Sequence, residues 1–239
     1  MELSWQMRRE LVQYVAAVYL ILLFIFWLIR AKLPQKPRHI DAYDDFKEQF
    51  AAADGQKILL IPGTTSILDT EQTIIMSHCL RFLENHGSDL AQRELTLLVS
   101  CPFKYGYLQD FLQDRNIKAN LDFLAFDTIS FLYAAAGAAE RQKPSVTFLS
   151  GAFGMENLVL GETVSRHGSI HNACADFSSL PDAVVVANGT IIGEELYALP
   201  ASESPTTTDK IFLAVNEALK LITIATILIG SIYLSLSGQ

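Results

Sequence analysis

The 239-residue sequence predicts an α/β fold: a mostly parallel sheet, covered on both faces by helices and set between two lipid-embedded helices. Three observations carry that expectation. Short, near-continuous apolar runs such as KILLIP, LTLLVSC and AVVVA alternate with stretches of helical period. Each run closes on Pro, Gly or Asn, as strands buried on both faces do. The chain also begins and ends in long apolar segments, while its middle is large enough for one domain of ordinary size.

The first apolar segment, 11–29, reads LVQYVAAVYLILLFIFWLI and carries no charge. At about 1.5 Å per residue it is roughly 28 Å long, close to the ~30 Å hydrocarbon core of a bilayer. It ends in bulky residues where a signal peptidase needs small ones, which makes it a retained anchor. It shows no polar face, as a helix packed in a soluble core normally does. Arg8 and Arg9 precede it; Arg30, Lys32, Lys36 and Arg38 follow. The larger basic cluster places the following domain on the cytoplasmic side of a cell membrane.

Asp41–Ala53 is an amphipathic helix, with Tyr43, Phe46 and Phe50 on one face. Packing on the domain explains it better than lying on lipid, because Asp44, Asp45 and Glu48 would meet anionic headgroups. Then come strand Lys57–Pro62, a helix through Ile75, Cys79 and Phe82, and strand Leu95–Cys101. A second helix follows with Tyr107, Leu108, Phe111 and Leu112 inward. Strand Leu121–Phe126, an Ala-rich helix near Ile129–Glu140 and strand Val146–Ser150 come next. After them stand a helix from Glu156, a short strand Ile170–Cys174, strand Ala183–Ala187, a turn at Asn188-Gly189, and a short helix at Gly193–Tyr197. This alternation is that of a Rossmann-like layer domain. Ala201–Asp209 is a polar linker, and the charge-free stretch from Leu221 onward allows a second span. Glu217 and Lys220, three apart, pair at the headgroup level.

The layout expected is therefore an N-terminal tail (1–10), a transmembrane helix (11–30), a linker with an amphipathic helix (31–56), the α/β domain (57–199), a linker (200–210), a second transmembrane helix (211–236) and a short tail (237–239).

Ligands in open α/β sheets bind beyond the carboxyl ends of the strands. That rule nominates Gly63, Thr64, Thr65 and Ser66 after the first strand, Gly151, Gly154 and Glu156 after the fourth, and Asn188, Gly189 and Thr190 after the last. None of these turns matches a dinucleotide or P-loop fingerprint, and none holds a Lys or Arg to meet a phosphate. Tight-turn glycines explain them better. His167, His171 and Cys174 lack a fourth ligand and a common helix face, so no metal is assigned. His78-Cys79 is a core thiol beside a surface imidazole, and Ser150-Gly151 lacks the G-x-S-x-G frame of a nucleophile elbow. Glu194 and Glu195 belong to a helix's first turn. Three scattered cysteines form no disulfide framework. A net charge of −8 with no basic stripe argues against nucleic acid.

The words SGAFGMENLVLGE and ANGTIIGEELYA, with the IPGTTS turn, LLVSCPF and the apolar tail, resemble a family of uncharacterised prokaryotic membrane proteins, a domain of unknown function. The resemblance covers most of the chain. It implies an α/β domain tethered by membrane helices and supplies no activity and no catalytic residues. IPGTTS is less glycine-rich than the pattern at that position.

The readings that follow are, in order, a membrane-anchored non-catalytic scaffold or accessory subunit, a small-molecule-sensing module, and a membrane-bound hydrolase using a carboxylate such as Glu156. No catalytic residue and no cofactor is assigned. The expected partners are the lipid bilayer and other membrane-protein subunits or further copies of the chain.

Overall fold

Apolar strands without a polar face must be covered on both sides, and the computed structural model shows how this chain does it. The structure describes residues 17–29, 39–53, 55–63, 70–90, 92–151, 153, 156–174 and 180–237. They fall into two units, Arg38–Ser204 and the remainder.

In the first unit six strands form one sheet: β1 (Lys57–Ile61), β2 (Glu94–Val99), β3 (Asn120–Phe123), β4 (Val146–Gly151), β5 (Ser169–Cys174) and β6 (Gly189–Ile192). Their order is β3-β2-β1-β4-β5-β6, and every pairing is parallel. The expected Rossmann-like α/β architecture is therefore present. The order reverses between β1 and β4, where Ile61 lies level with Leu149.

The helices are α1 (Ala17–Leu28), α2 (Asp41–Ala52), α3 (Thr70–Asn85), α4 (Gly87–Leu90), α5 (Pro102–Asp114), α6 (Thr128–Gln142), α7 (Glu156–Ser165), α8 (Leu180–Val186), α9 (Glu194–Glu203) and α10 (Thr207–Ser237). On one sheet face Leu59, Ile61, Leu98, Leu149 and Ile170 pack against Phe131 and Ala135 of α6 and Leu160 and Val164 of α7. Alanines let α6 sit close to the sheet. Its first turn is capped by Asp127, whose carboxylate accepts from the Ser130 N–H at 2.8 Å. The other face is aromatic. Phe148 of β4 is ringed by Phe46 (4.6 Å between centroids), His78 (5.7 Å) and Tyr43 (6.3 Å). Thus Tyr43, Phe46 and Phe50 of α2 belong to the core.

Helix α2 crosses the amino ends of the strands. Near its start Ala42 lies over Gly189, the first residue of β6. At its end Arg93, just before β2, donates to the carbonyls of Phe50 and Ala51. The last turn of α9 returns to that same end, beside Asn85 and His86 at the close of α3. Both ends of the unit therefore lie at the amino ends of the strands.

Several expectations need correction. Ala183–Ala187 is not a strand: Leu180–Val186 is helix α8, with Ala183 buried and Val184 and Val185 exposed. An apolar run of five residues is too short to show a period, and packing on α7 decides it. Gly161 of α7 makes room, since a Cβ there would lie 2.3 Å from Val186 Cγ2. The residues read as a turn, from Gly189, open β6. On α5 the inward stripe is Lys104, Leu108 and Leu112, whereas Tyr107 is exposed. His78 is buried, not a surface residue. Helix α9 extends through Pro200 to Glu203, into the stretch read as linker.

In the second unit, one helix among the described residues is long and apolar enough to cross a membrane, Thr207–Leu228 within α10. Ala17–Leu28 is apolar but shorter. The expected 11–30 span starts and ends outside the described residues.

Candidate ligand site at the carboxyl ends of the central strands

In open α/β sheets ligands bind where the strand order reverses, which in this sheet is between β1 and β4. Here that point has an unusual occupant. Lys104, in the first turns of α5, is wholly buried. Its Nζ donates to the carbonyl oxygens of Pro62 at 2.7 Å and Gly63 at 3.2 Å, directly after β1. Pro102 at the start of α5 presets the helix, and Cys101 before it is extended backbone. Four residues separate Lys104 from Leu108, so the lysine rides the buried stripe of the helix.

Gly63 has φ +68° and Gly151 φ +142°, conformations that side chains rarely adopt. Between them Ser150 is wholly buried, and its Oγ has no hydrogen-bond partner. It follows Leu149, which is level with Ile61, so it lies at the height of Pro62 across the β1–β4 seam. On the α7 side Asn172 Nδ2 donates to Asn157 Oδ1 at 2.8 Å, and Asn157 Nδ2 to the Phe153 carbonyl at 3.4 Å. The Oδ1 of Asn172 and the Oε2 of Glu156 are buried without partners. Orphaned buried polar atoms are rare in folded proteins because each costs about 1–3 kcal/mol. Here Ser150, Glu156 and Asn172 all lie on the carboxyl-end half of β4 and β5 or in the first turn of the helix that follows β4.

Of the residues nominated from sequence, Gly63, Gly151 and Glu156 stand at this end. Thr64, Thr65, Ser66 and Gly154 lie outside the described residues. Asn188, Gly189 and Thr190 lead into and open β6 rather than following a strand, with Gly189 level with His171 and Thr190 level with Asn172. Asn188 has a structural role there. Its Oδ1 accepts from the Ile170 N–H and its own N–H donates to the Ile170 carbonyl, both at 2.8 Å. None of these turns holds a Lys or Arg of its own, but Lys104 reaches the first of them from the neighbouring helix. Lys104, Asn157 and Asn172 were not singled out by sequence. A lysine at the head of an apolar helical stripe, four residues before Leu108, was the one available signal.

The arrangement presents, among the described residues, a hydroxyl and a carboxylate oxygen without partners, beside a buried lysine that holds the turn after β1. No nucleophile is paired with a base here among the described residues, since Ser150 Oγ has no hydrogen-bond partner. Among the described residues no group of three or more His, Cys, Asp or Glu could hold a metal. His167 pairs with Glu140, and His171 Nε2 meets Gln49 Oε1 at 3.2 Å on β5.

A second polar cluster lies at the amino ends of the strands. Glu203 accepts from the Tyr43 hydroxyl, from Asn85 Nδ2 at 3.2 Å and from His86 Nε2 at 3.3 Å. Arg81 Nη1 donates to the carbonyls of Pro200 at 2.9 Å and Ser204 at 3.2 Å. Burial alone raises the Glu203 carboxyl, but hydrogen bonds from His86, Tyr43 and Asn85 outweigh it and hold it at about 2. Burial, then the Glu203 carboxylate, push the Tyr43 hydroxyl well above its usual value. Burial lowers the neighbouring His78 to about 4 and raises Cys79 to about 12, with the Lys104 ammonium opposing the latter.

A family model described as a domain of unknown function, DUF6754, matches residues 2–239. The chain belongs to this family. No curated protein matches it. Among solved structures it is similar to an NAD+-bound xylitol dehydrogenase, with 13% identity, 64% of this chain covered and a TM-score of 0.35. It is also similar to a putative UDP-N-acetylglucosamine 2-epimerase from Listeria monocytogenes, with 12% identity, 63% covered and a TM-score of 0.40. A citronellol catabolism dehydrogenase of Pseudomonas aeruginosa gives 16%, 64% and 0.31. The chain spans 61%, 43% and 64% of those three proteins. At these TM-scores the likenesses bear on nothing beyond the sheet already described.

Proposed function

We propose that this member of the family is a membrane-tethered module whose α/β domain binds a small molecule across the carboxyl ends of β1 and β4. One observation carries the reading: a wholly buried lysine caps the turn after β1 at the strand-order reversal, level with the orphaned Ser150 hydroxyl. The absence of a partnered nucleophile among the described residues of this site supports binding over hydrolysis.

The tether is α10, apolar over Thr207–Leu228 with Leu221, Ile222, Ile224, Ile227 and Leu228 exposed. The apolar 11–29 stretch supplies a second anchor, and the basic residues after it put the domain on the cytoplasmic side. Alkaline carbonate extraction tests the tether: the full chain stays in the membrane pellet, and release into the supernatant defeats this half of the reading.

For the site, the full chain in detergent is heated with nucleotides, sugar phosphates and amino acids in turn. A ligand at a hundred times its Kd adds about 2.7 kcal/mol to stability. The upward shift in melting temperature disappears in Lys104→Met. A shift that survives Lys104→Met unchanged places the ligand elsewhere.

A scaffold or accessory-subunit role is the second reading. It is favoured by a separate observation, an apolar edge on β3.

A further inference from the structure

Beside β3, the edge strand of the sheet, six large apolar side chains face solvent. Phe103 and Tyr107 lie four apart on α5, Phe123 ends β3, and Phe126, Ile129 and Tyr133 lead into and along the start of α6. Each is between 42% and 77% exposed. Helix α5 packs on β3, with Tyr105 and Phe123 rings 6.4 Å apart, and α6 is the next helix after β3, so all six lie on β3 or on the segments next to it in the chain. At the ~200 Å² typical of such side chains, the six together present roughly 700 Å². The largest apolar patch on an ordinary monomer is about 300–600 Å². One side of a standard protein interface buries about 800 Å².

We infer that two copies of this chain associate through the β3 edge. This gives the scaffold reading its partner and does not depend on the ligand site. The area exposed on one copy is what one side of a stable dimer needs. The six residues themselves carry no charge, and an isologous contact places the same set on both copies; the exposed Asp122 and Asp127 stand beside them. Most of the remaining surface belongs to a chain of net charge −8, which opposes self-contact elsewhere. Lys118 and Asp122, both exposed, flank the patch with opposite signs. β3 spans only Asn120–Phe123, a short edge that discourages open-ended strand addition. Association then rests on side chains from α5 and α6 and stops at two copies.

The test measures the mass of the full chain in detergent by light scattering, with detergent subtracted, for wild type, Phe126→Asp and Val185→Asp. Val185 is also exposed and apolar but lies on α8, away from β3. Both substitutions are at solvent-facing positions, and unchanged melting temperatures show that folding is intact. The inference expects a wild-type dimer, a dimer for Val185→Asp, and at least a tenfold weaker dimer for Phe126→Asp. A second variant, Tyr133→Lys, weakens it likewise. A monomeric wild type overturns the inference, as does a dimer indifferent to both Phe126→Asp and Tyr133→Lys, or a single copy held to a different protein.

Discussion

The polar clusters centred on Glu203 and on Ser150, at the two ends of the sheet, are met in opposite ways, although buried atoms without partners also occur on His78, Arg93, Thr147 and His171. At the amino ends, the Glu203 carboxylate is met by Tyr43, Asn85 and His86, and Arg81 ties down the last carbonyls of α9. At the carboxyl ends, Ser150, Glu156 and Asn172 keep buried atoms without partners. A satisfied cluster stabilises the fold and leaves nothing for a ligand to do. An unsatisfied one costs free energy in the empty protein, which a ligand supplying the missing hydrogen bonds recovers. The satisfied cluster also sits where both ends of the Arg38–Ser204 unit meet, holding the start of α2 against the end of α9. The sheet thus has a fastened end and an open one.

Removing the carboxylate at the fastened end should have the largest effect. Glu203→Ala leaves a buried hydroxyl, an amide and an imidazole facing a gap, and the loss of unfolding free energy should be about 4 kcal/mol by denaturant titration. Tyr43→Phe deletes one donor only and should cost about 1–2 kcal/mol. If Glu203→Ala proves no more harmful than changes at the open end, the contrast between the two ends is wrong.

Acid should act at the fastened end next. In the unfolded chain His78 takes a proton near its ordinary 6.5, but in the folded protein only near 4. Between those values the unfolded state binds more protons, so stability falls as pH falls through this window, by on the order of 3 kcal/mol in all. Glu203 acts lower. Its folded value of about 2 lies beneath its ordinary 4.5, so its contribution is complete above 4.5 and lost as pH falls toward 2. Melting curves from pH 7 to pH 4 check the first window. His78→Phe, which replaces an unpartnered imidazole packed against Tyr43 and Phe148, should flatten it. A wild-type curve as flat as the variant's would mean that His78 is hydrated or paired in solution.

How much of this contrast a sequence reader sees depends on the range of the interactions. The apolar strands β1, β2 and β4 and the aromatic stripe of α2 are legible because period and burial are local properties. The swap of strand and helix over 180–192 is not. AVVVA and GTII are both short and rich in β-branched residues, and only the groove at Gly161 settles which one packs as a helix. That swap put Asn188, Gly189 and Thr190 after a strand, whereas they lead into and open one. The site's polar groups are hidden for a similar reason. Asn157 and Asn172 become a pair only when α7 lies on β5, and Lys104 looks like one more surface lysine until α5 turns it inward. Gly63, Gly151 and Glu156 were visible because strand ends follow from strand positions. The Glu203 cluster was not, since it joins residues 160 positions apart.

At the open end Lys104→Met should cost less than Glu203→Ala. The methionine keeps most of the buried stem, and what is lost is a charged donor to the Pro62 and Gly63 carbonyls, worth about 2 kcal/mol. Denaturant titration of the empty protein gives that number. The heated-ligand comparison then shows whether Lys104 also serves a bound molecule. A loss confined to stability would make it a strut for the turn after β1.

Ser150→Ala should have the smallest effect and separates the two ends most sharply. The hydroxyl makes no hydrogen bond within the protein, so removing it deletes one small polar atom that was already unsatisfied. Stability of the empty protein should move by no more than about 0.5 kcal/mol, in the stabilising direction if at all. The same change should weaken a ligand that uses the hydroxyl, because that ligand then leaves a polar group of its own unmet against a bare methyl. A serine whose removal stabilises the empty protein and destabilises the bound one is difficult to explain except as part of a binding site. A loss of about 2 kcal/mol or more in the empty protein would instead mean that Ser150 has a structural partner, and the carboxyl ends would then be as fastened as the amino ends.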